Sequence, residues 1–135
     1  MTTPHQIVNP DTLAPPVGFS HALVAASGKT VYLGGQAAHD AAGEIVGRTI
    51  ADQFAQAAAN VVRALEAVGA KPEHLVAMQI YVTDADAYRS ALGEISSTYQ
   101  EHFGRHYPAI ALFEVTGLFD PAAQVELVCI AVIPD

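Results

Sequence analysis

The sequence predicts an α+β fold in which a mixed β-sheet carries two helices packed on one face. At 135 residues the chain has the length of one domain with its own core, and we expect that domain to span residues 1–135. Six short apolar runs have the length of strands, and two longer segments repeat apolar residues at helical spacing. Three strands precede the first helix, one separates the two helices, and two end the chain.

The N-terminal third is expected to contain three strands. Four of the eight prolines fall within the first 18 residues, which indicates an extended lead-in with a short strand at His5–Val8. Phe19–Ala26 and Thr30–Gln36 are predicted as two strands joined through Ser27-Gly28-Lys29, a connection of hairpin length. A polar loop over residues 39–48 then leads to the first helix.

The first helix has signals at both of its ends. Thr49 is placed to cap the N-terminus, and Asp52 follows three residues later in a pattern close to a capping box. Gly69 followed by Pro72 predicts the C-terminal end. Between these ends apolar residues recur at helical spacing, at Ile50, Phe54, Ala57, Val61, Leu65 and Val68.

The second helix is predicted to begin near Asp84 or Asp86 and to end at Gly104. Its apolar stripe consists of Tyr88, Leu92, Ile95, Tyr99 and Phe103. Three further strands are expected at Leu75–Val82, Ala109–Val115 and Val125–Ile133. The last two runs are apolar on both sides, whereas both helices pack on one face of the sheet. We therefore expect another subunit to cover the opposite face.

The composition disfavours several classes of protein. Hydrophobic residues make up 51% of the chain and charged residues only 15%, against about 25% charged in an ordinary domain; this balance favours oligomerisation. Six basic and 14 acidic residues give a net charge of −8, which argues against binding nucleic acid or an anionic membrane. No apolar run approaches the roughly 20 residues of a spanning helix. The N-terminus does not resemble a signal peptide, and Cys129 is predicted as a buried, inert thiol, so we expect a cytoplasmic protein.

A few residues are candidates for chemistry. Glu126 is the single charge in the last apolar run; a carboxylate there needs a partner if buried, but near the start of a strand it can equally face solvent. Gly34 and Gly35 end an earlier strand, where glycine serves either tight backbone packing or the close approach of a ligand. His102 and His106 have a metal-like spacing, but nothing nearby completes a set. We therefore predict no metal site and solvated loop histidines.

Six short motifs follow one another along the chain. They are Gly18-Phe19-Ser20-His21-Ala22, Val31-Tyr32-Leu33-Gly34-Gly35-Gln36, Gln56 to Asn60, Tyr81-Val82-Thr83-Asp84, Tyr107-Pro108-Ala109 and Val125-Glu126-Leu127. Together they resemble the reactive intermediate deaminase family, RidA/YjgF. The resemblance implies a chorismate-mutase-like fold and a homotrimer with ligand pockets at the subunit interfaces. It also implies hydrolysis of 2-imino and enamine acids to 2-oxo acids and ammonia, without metal or organic cofactor.

The resemblance also implies roles for individual residues. Glu126 falls on the family's water-positioning glutamate, which suits the general-base role of a carboxylate. Leu112 falls where a backbone amide contacts the ligand, and Gly35 matches a glycine of the binding site. Glu126 is therefore the predicted catalytic residue.

This chain departs from the family's pattern at several binding positions. The carboxylate-binding arginine is replaced by Ile110, the pocket tyrosine by Phe19 and the pocket serine by Gly34. Ser96 aligns with the pocket asparagine. Losing the arginine removes a charge-assisted pair worth on the order of 1.5–3 kcal/mol. A conventional 2-imino acid is therefore expected to bind poorly to an apolar pocket.

Three hypotheses about function follow. The first is an imine or enamine hydrolase whose substrate is apolar where the arginine is missing, with Arg105 or Arg48 as candidate replacement cations. The second is a non-catalytic protein that binds a small metabolite, or docks a partner, in the cleft between subunits of the trimer. The third is an interaction or chaperone-like protein that acts through the acidic, apolar surface of the trimer.

Overall fold

The structure contains the predicted elements in the predicted order, with one helix divided in two. The computed structural model describes residues 2–135. Its strands are β1 (Gln6–Val8), β2 (Ala22–Val24), β3 (Gly28–Tyr32), β4 (Leu75–Val82), β5 (Ala109–Glu114) and β6 (Val125–Pro134). Its helices are α1 (Ile50–Ala67), α2 (Ala85–Ser90) and α3 (Leu92–Phe103), and a 3-10 turn at Pro72–His74 leads into β4.

Four strands form the main sheet, in the order β3-β6-β4-β5. β6 runs antiparallel to both of its neighbours, whereas β4 and β5 are parallel. α1 connects β3 to β4, and α2 with α3 connects β4 to β5. The predicted α+β class is therefore confirmed, with three helices packed against a mixed sheet.

The predicted hairpin between the second and third strands is wrong. β2 pairs with β1 in a separate two-stranded sheet, and β3 pairs with β6 at the edge of the main sheet. Gly28 is the first residue of β3 and does not lie in a turn. A Cβ placed on Gly28 would lie 2.8 Å from the carbonyl carbon of Ile133 on β6. The glycine therefore permits a close approach of two strands that are distant in sequence.

The predicted signals of α1 are confirmed. Asp52 donates its backbone N–H to the Thr49 hydroxyl at 3.1 Å, and the Asp52 carboxylate accepts the backbone N–H of Thr49 at 3.4 Å. Beyond the last turn, Gly69 adopts a φ of 76° and donates its N–H to the Glu66 carbonyl. The side chains of Phe54, Val61 and Leu65 are fully buried, as the helical spacing of the apolar residues predicts.

The second helix is not continuous. Asp84 caps α2 by accepting the N–H of Ala87, and Ala91 leaves helical geometry with φ −99° and ψ 10°. Gly93, a weak helix former, follows in the first turn of α3. Leu92, the first residue of α3, is 50% exposed, whereas Ile95, Tyr99 and Phe103 of the predicted stripe are buried. None of the helices among residues 2–135 is long and apolar enough to cross a membrane.

The two faces of the sheet have different environments. On β6, alternate side chains at Val125, Leu127, Cys129 and Ala131 are buried in one core with α1 and α3. The intervening residues, Glu126, Val128 and Ile130, are half-buried on the opposite face. Tyr81 and Phe113 lie on that same face and stack at 5.4 Å. We call this side, defined by these five residues, the open face.

Candidate functional site

Glu126 lies on the open face with its carboxylate against the backbone of Gly35. Glu126 pairs with Tyr81 across the ladder to β4. On the other side of β6, Gln36 and Leu127 exchange two backbone hydrogen bonds of 2.8 Å, which brings the loop after β3 alongside the glutamate. A Cβ on Gly35 would lie 2.9 Å from the carboxyl carbon of Glu126 and closer still to one of its oxygens. The absence of a side chain at Gly35 is therefore what makes room for the carboxylate.

The carboxylate of Glu126 takes part in no ion pair and no side-chain hydrogen bond among residues 2–135. The same residues contain no buried side-chain oxygen or nitrogen that lacks a partner, so the oxygens of this half-buried side chain are accessible. A carboxylate with free acceptor positions can orient and deprotonate a water molecule. The sequence leaves two alternatives for Glu126: a buried carboxylate with a partner, or a side chain that faces solvent. The structure matches neither fully, since the side chain is half-buried and its carboxylate has no partner in the part of the chain that the structure describes.

On the other face of the sheet, four predicted binding residues line one cavity. Phe19, Ser96, Ile110 and Leu112 surround a space of about 480 Å³ between the β4–β5 ladder and α2–α3. Ile110 and Leu112 pair with Met78 and Ile80 of β4, whose side chains belong to the helix-covered core. The structure therefore brings these four of the predicted site positions together.

The cavity is aromatic and uncharged. Tyr99 donates its hydroxyl to the His106 carbonyl at 2.7 Å and stacks on Tyr107 at 5.1 Å. Gln100 donates to the hydroxyl of Tyr107 at 2.9 Å. Burial raises the pKa of Tyr88 to about 12, and the pKa of Tyr99 is raised as well, by burial first. Both phenols are neutral at physiological pH, and no Lys, Arg, Asp or Glu lies among the described residues that form the walls.

The two candidate replacement arginines lie outside this cavity. Arg105 is exposed and lines a neighbouring cavity of about 540 Å³ with Asn9 and Ser20. The two cavities share a common wall formed by Tyr107, Phe19 and the two residues before Phe19. Arg48 is exposed, and its carbonyl accepts a hydrogen bond from Gln124 next to the start of α1. Neither guanidinium takes the place of the side chain at residue 110.

The candidate residues therefore form two sets on opposite faces of the sheet. Glu126 and Gly35 lie on the open face, and Gly34 lies beside them, exposed and with open space around it. Ile110 and Leu112 line the cavity on the helix-covered face, and Glu126 lines neither cavity. Successive side chains of a strand project from opposite faces of the sheet. The sheet therefore separates the two sets of candidate residues, and they cannot meet within one chain.

Sequence reasoning missed part of the cavity wall and two buried histidines. Tyr88 and Tyr99 belong to the apolar stripe that predicts the second helix, but they also line the cavity. His5 and His106 are both 6% exposed, so the prediction of solvated loop histidines is wrong for them. Each bonds a backbone carbonyl near the start of β4, His5 that of His74 and His106 that of Leu75. Residues 2–135 contain no group of three or more His, Cys, Asp or Glu side chains that could hold a metal ion.

Comparison with known proteins gives the class of the chain. The Endoribonuclease L-PSP family model matches residues 10–133. A bovine (Bos taurus) 2-iminobutanoate/2-iminopropanoate deaminase is 28% identical over 105 residues, which are 77% of this chain and 73% of that protein. The solved structure of YyfB, a Rid-family protein from Yersinia pestis, is 31% identical, with a TM-score of 0.86 over 96% of this chain and 98% of that one. RidA from an Antarctic Psychrobacter is 26% identical, with a TM-score of 0.68 over 95% and 99%. The chain belongs to the RidA/YjgF family.

Proposed function

We propose that this protein is a cofactor-independent imine or enamine hydrolase whose substrate carries no carboxylate at the reacting end. The observation that carries the proposal is the accessible, unpaired carboxylate of Glu126, held beside the Gly35 backbone. The named activity of the bovine relative supports the reaction type. The whole chain would act as one domain of the family in the cytoplasm.

In the proposed reaction Glu126 handles the water molecule. The carboxylate accepts a proton from water as the water oxygen attacks the carbon of the C=N bond, and the electron pair of that bond passes to nitrogen, which takes up a proton. An enamine first tautomerises to the imine by protonation at carbon. The resulting carbinolamine expels ammonia when nitrogen receives the proton held by Glu126, while the hydroxyl proton passes to solvent and the oxygen becomes the product carbonyl. This released proton balances the one that nitrogen takes up from solvent in the addition step. No step requires an oxidant, a reductant or a metal.

The complete site would be built from two copies of the chain. Glu126 and the apolar cavity lie on opposite faces of the sheet, so a neighbouring copy has to bring its glutamate to the cavity. The open face offers apolar side chains for such a contact, including Val128, Ile130 and Phe113, the last of which is 44% exposed. Covering this face would remove apolar surface from water. A homotrimer of the kind the family resemblance implies satisfies both requirements.

The substrate class follows from the cavity wall. A carboxylate transferred into a cavity without a cation would lose hydration and gain no compensating charge. Ile110 stands where a guanidinium would bind it, and Arg105 and Arg48 both lie outside the cavity. We therefore propose that the site selects imines with an apolar or aromatic body. Ser96 remains a proposed contact at the rim of the cavity, Arg105 a proposed contact in the neighbouring cavity, and Gly34 a proposed contact near the glutamate.

One experiment tests this proposal directly. An amino-acid oxidase generates 2-imino acids in situ and an amine oxidase generates carboxylate-free imines, and the loss of each imine is followed with and without protein. We expect near-background rates with small 2-imino acids and turnover of carboxylate-free imines. Ile110→Arg should raise the rate with 2-imino acids, because the guanidinium restores a bidentate partner for the carboxylate. Glu126→Gln should lose about two to four orders of magnitude with either substrate.

The controls separate chemistry from folding and assembly. Glu44→Gln changes the same functional group in an exposed loop and should leave the rate unchanged. Light scattering should give three times the mass of one chain for every variant. Fast wild-type turnover of small 2-imino acids contradicts the altered substrate class. Wild-type rates in Glu126→Gln contradict the role of the glutamate, and a monomer at micromolar concentration contradicts the shared site.

A second candidate function is a non-catalytic binding module that holds a small metabolite in the same cleft. The observation that favours it is the loss of three polar binding groups, at Phe19, Gly34 and Ile110. Saturable binding of a small uncharged molecule with no imine hydrolysis in any variant would support this function over the enzyme. The net charge of −8 disfavours a nucleic-acid substrate for either function.

A further inference from the structure

Two polar groups of the apolar cavity have no partner within the protein. The hydroxyl of Tyr99 is bonded to a backbone carbonyl, and Gln100 and Tyr107 are bonded to each other. The hydroxyls of Tyr88 and Ser96, which also line the cavity, make no side-chain hydrogen bond with residues 2–135. Ser96 is exposed at the rim, where water can satisfy it. The absence of a partner for the Tyr88 hydroxyl among these residues therefore needs an explanation.

The ring of Tyr88 is held in place, but its oxygen is not enclosed. The ring packs edge-to-face on Phe54, a fully buried residue of α1, at 6.4 Å. No buried side-chain polar atom among residues 2–135 lacks a partner, so the unpaired oxygen of Tyr88 must be accessible. Burial raises the pKa of this phenol to about 12, so at physiological pH the group retains its proton and can donate it in a hydrogen bond.

We propose that Tyr88 is a specificity-determining residue whose hydroxyl donates a hydrogen bond to an uncharged acceptor on a ligand in this cavity. The ligand class is a small molecule with an apolar or aromatic body and one carbonyl, imine or ether acceptor. The inference rests on the proposed function only where it names an imine as the reacting acceptor of the ligand. The walls supply the apolar contacts and Tyr88 supplies orientation, a division typical of small-molecule sites.

The same geometry predicts which ligands are rejected. A hydrocarbon of the same shape fills the cavity but leaves the hydroxyl of Tyr88 unpaired once water is displaced, and such a loss is costly. A carboxylate could accept the hydrogen bond, yet no cation lines the cavity to offset its desolvation. A ligand with a neutral acceptor should therefore bind most tightly, and the hydrocarbon and the carboxylate should both bind more weakly.

Three fluorinated probes and two matched variants test this proposal. The probes are 4-fluoroacetophenone, 4-fluoroethylbenzene and 4-fluorobenzoate, each titrated with the full-length protein and followed by fluorine NMR. Tyr88→Phe removes only the hydroxyl and keeps the ring against Phe54. Tyr32→Phe removes a hydroxyl from a side chain that is 77% exposed and outside the cavity. Thermal unfolding of each variant checks that the fold is retained.

We expect wild type to bind 4-fluoroacetophenone most tightly of the three. Tyr88→Phe should weaken that probe about fivefold, the effect of one neutral hydrogen bond, and leave 4-fluoroethylbenzene unchanged. Tyr32→Phe should change neither affinity.

Three results would overturn the proposal: an equal loss for both uncharged probes, no loss for the ketone, or a preference for 4-fluorobenzoate. The absence of ketone binding to wild type at millimolar concentration would also overturn it. Binding is measured without turnover, so failure of imine hydrolysis would refute the proposed function and leave this result intact.

Discussion

Substituting Gly35 by alanine should move the carboxylate of Glu126 while leaving the fold in place. The added Cβ would lie 2.9 Å from the carboxyl carbon, whereas ordinary van der Waals contact begins at 3.4 Å. The carbon must therefore retreat by about 0.5 Å, and the nearer oxygen by about twice that distance. The open face gives the side chain space to turn away, so we expect a small effect on stability. The catalytic geometry, in contrast, tolerates displacements of only about 0.5 Å.

The expected consequence is a fall in kcat for carboxylate-free imines of about 100-fold in Gly35→Ala, the cost of misplacing a reacting group by about 1 Å. KM should change little, because the apolar walls proposed to bind the body of the substrate contain neither Gly35 nor Glu126 and are unchanged by the substitution. The matched control is Gly117→Ala, since a Cβ there meets no atom within 4 Å. Wild-type kcat in a folded, fully assembled Gly35→Ala protein would refute the argument that the glycine positions the glutamate.

Two further predictions concern stability. Gly28→Ala should destabilise the protein severely, because the new Cβ would press on the β6 backbone that pairs with β3; a wild-type melting temperature would contradict the close approach of these strands. Burial lowers the pKa of His106 below its ordinary 6.5, and its bond to the Leu75 carbonyl opposes this effect only in part. The unfolded state therefore binds a proton first as pH falls, so the free energy of unfolding should decrease from about pH 6.5 down to the lowered pKa of the folded state. Urea titrations between pH 7.5 and 5 measure this slope, and His106→Gln should flatten it; an unchanged slope in His106→Gln would rule out this histidine as the source.

The sequence is sufficient to predict a structural feature when the signals for that feature come from residues close together in the chain. Thr49, Asp52 and Gly69 predict the ends of α1 because each acts through hydrogen bonds to residues fewer than five positions away. Gly28 was misread because a glycine between two apolar runs has the same local pattern whether it forms a turn or lies against a distant strand. Only the pairing of β3 with β6 decides between the two.

The candidate site could be predicted as a set of residues but not as an arrangement. Glu126 stands out in the sequence as the single charge of an apolar run, and the family resemblance points to Ile110. Their placement on opposite faces, however, depends on which strands become neighbours. The helical spacing of the apolar residues assigns Tyr88 to the helix stripe, and its ring packs on Phe54 in the structure. Its unpaired hydroxyl becomes visible only in the folded chain, where the other two cavity phenols, Tyr99 and Tyr107, have hydrogen-bond partners.

The separation of Glu126 from the apolar cavity by the thickness of one sheet couples assembly to chemistry in the proposed enzyme. An isolated subunit would hold a base without a substrate and a cavity without a base. Burial of the open face and formation of the reaction centre would then be one event. The concentration of subunits would therefore determine both the extent of assembly and the number of complete reaction centres. Newly made chains could not hydrolyse imines until they had found their partners.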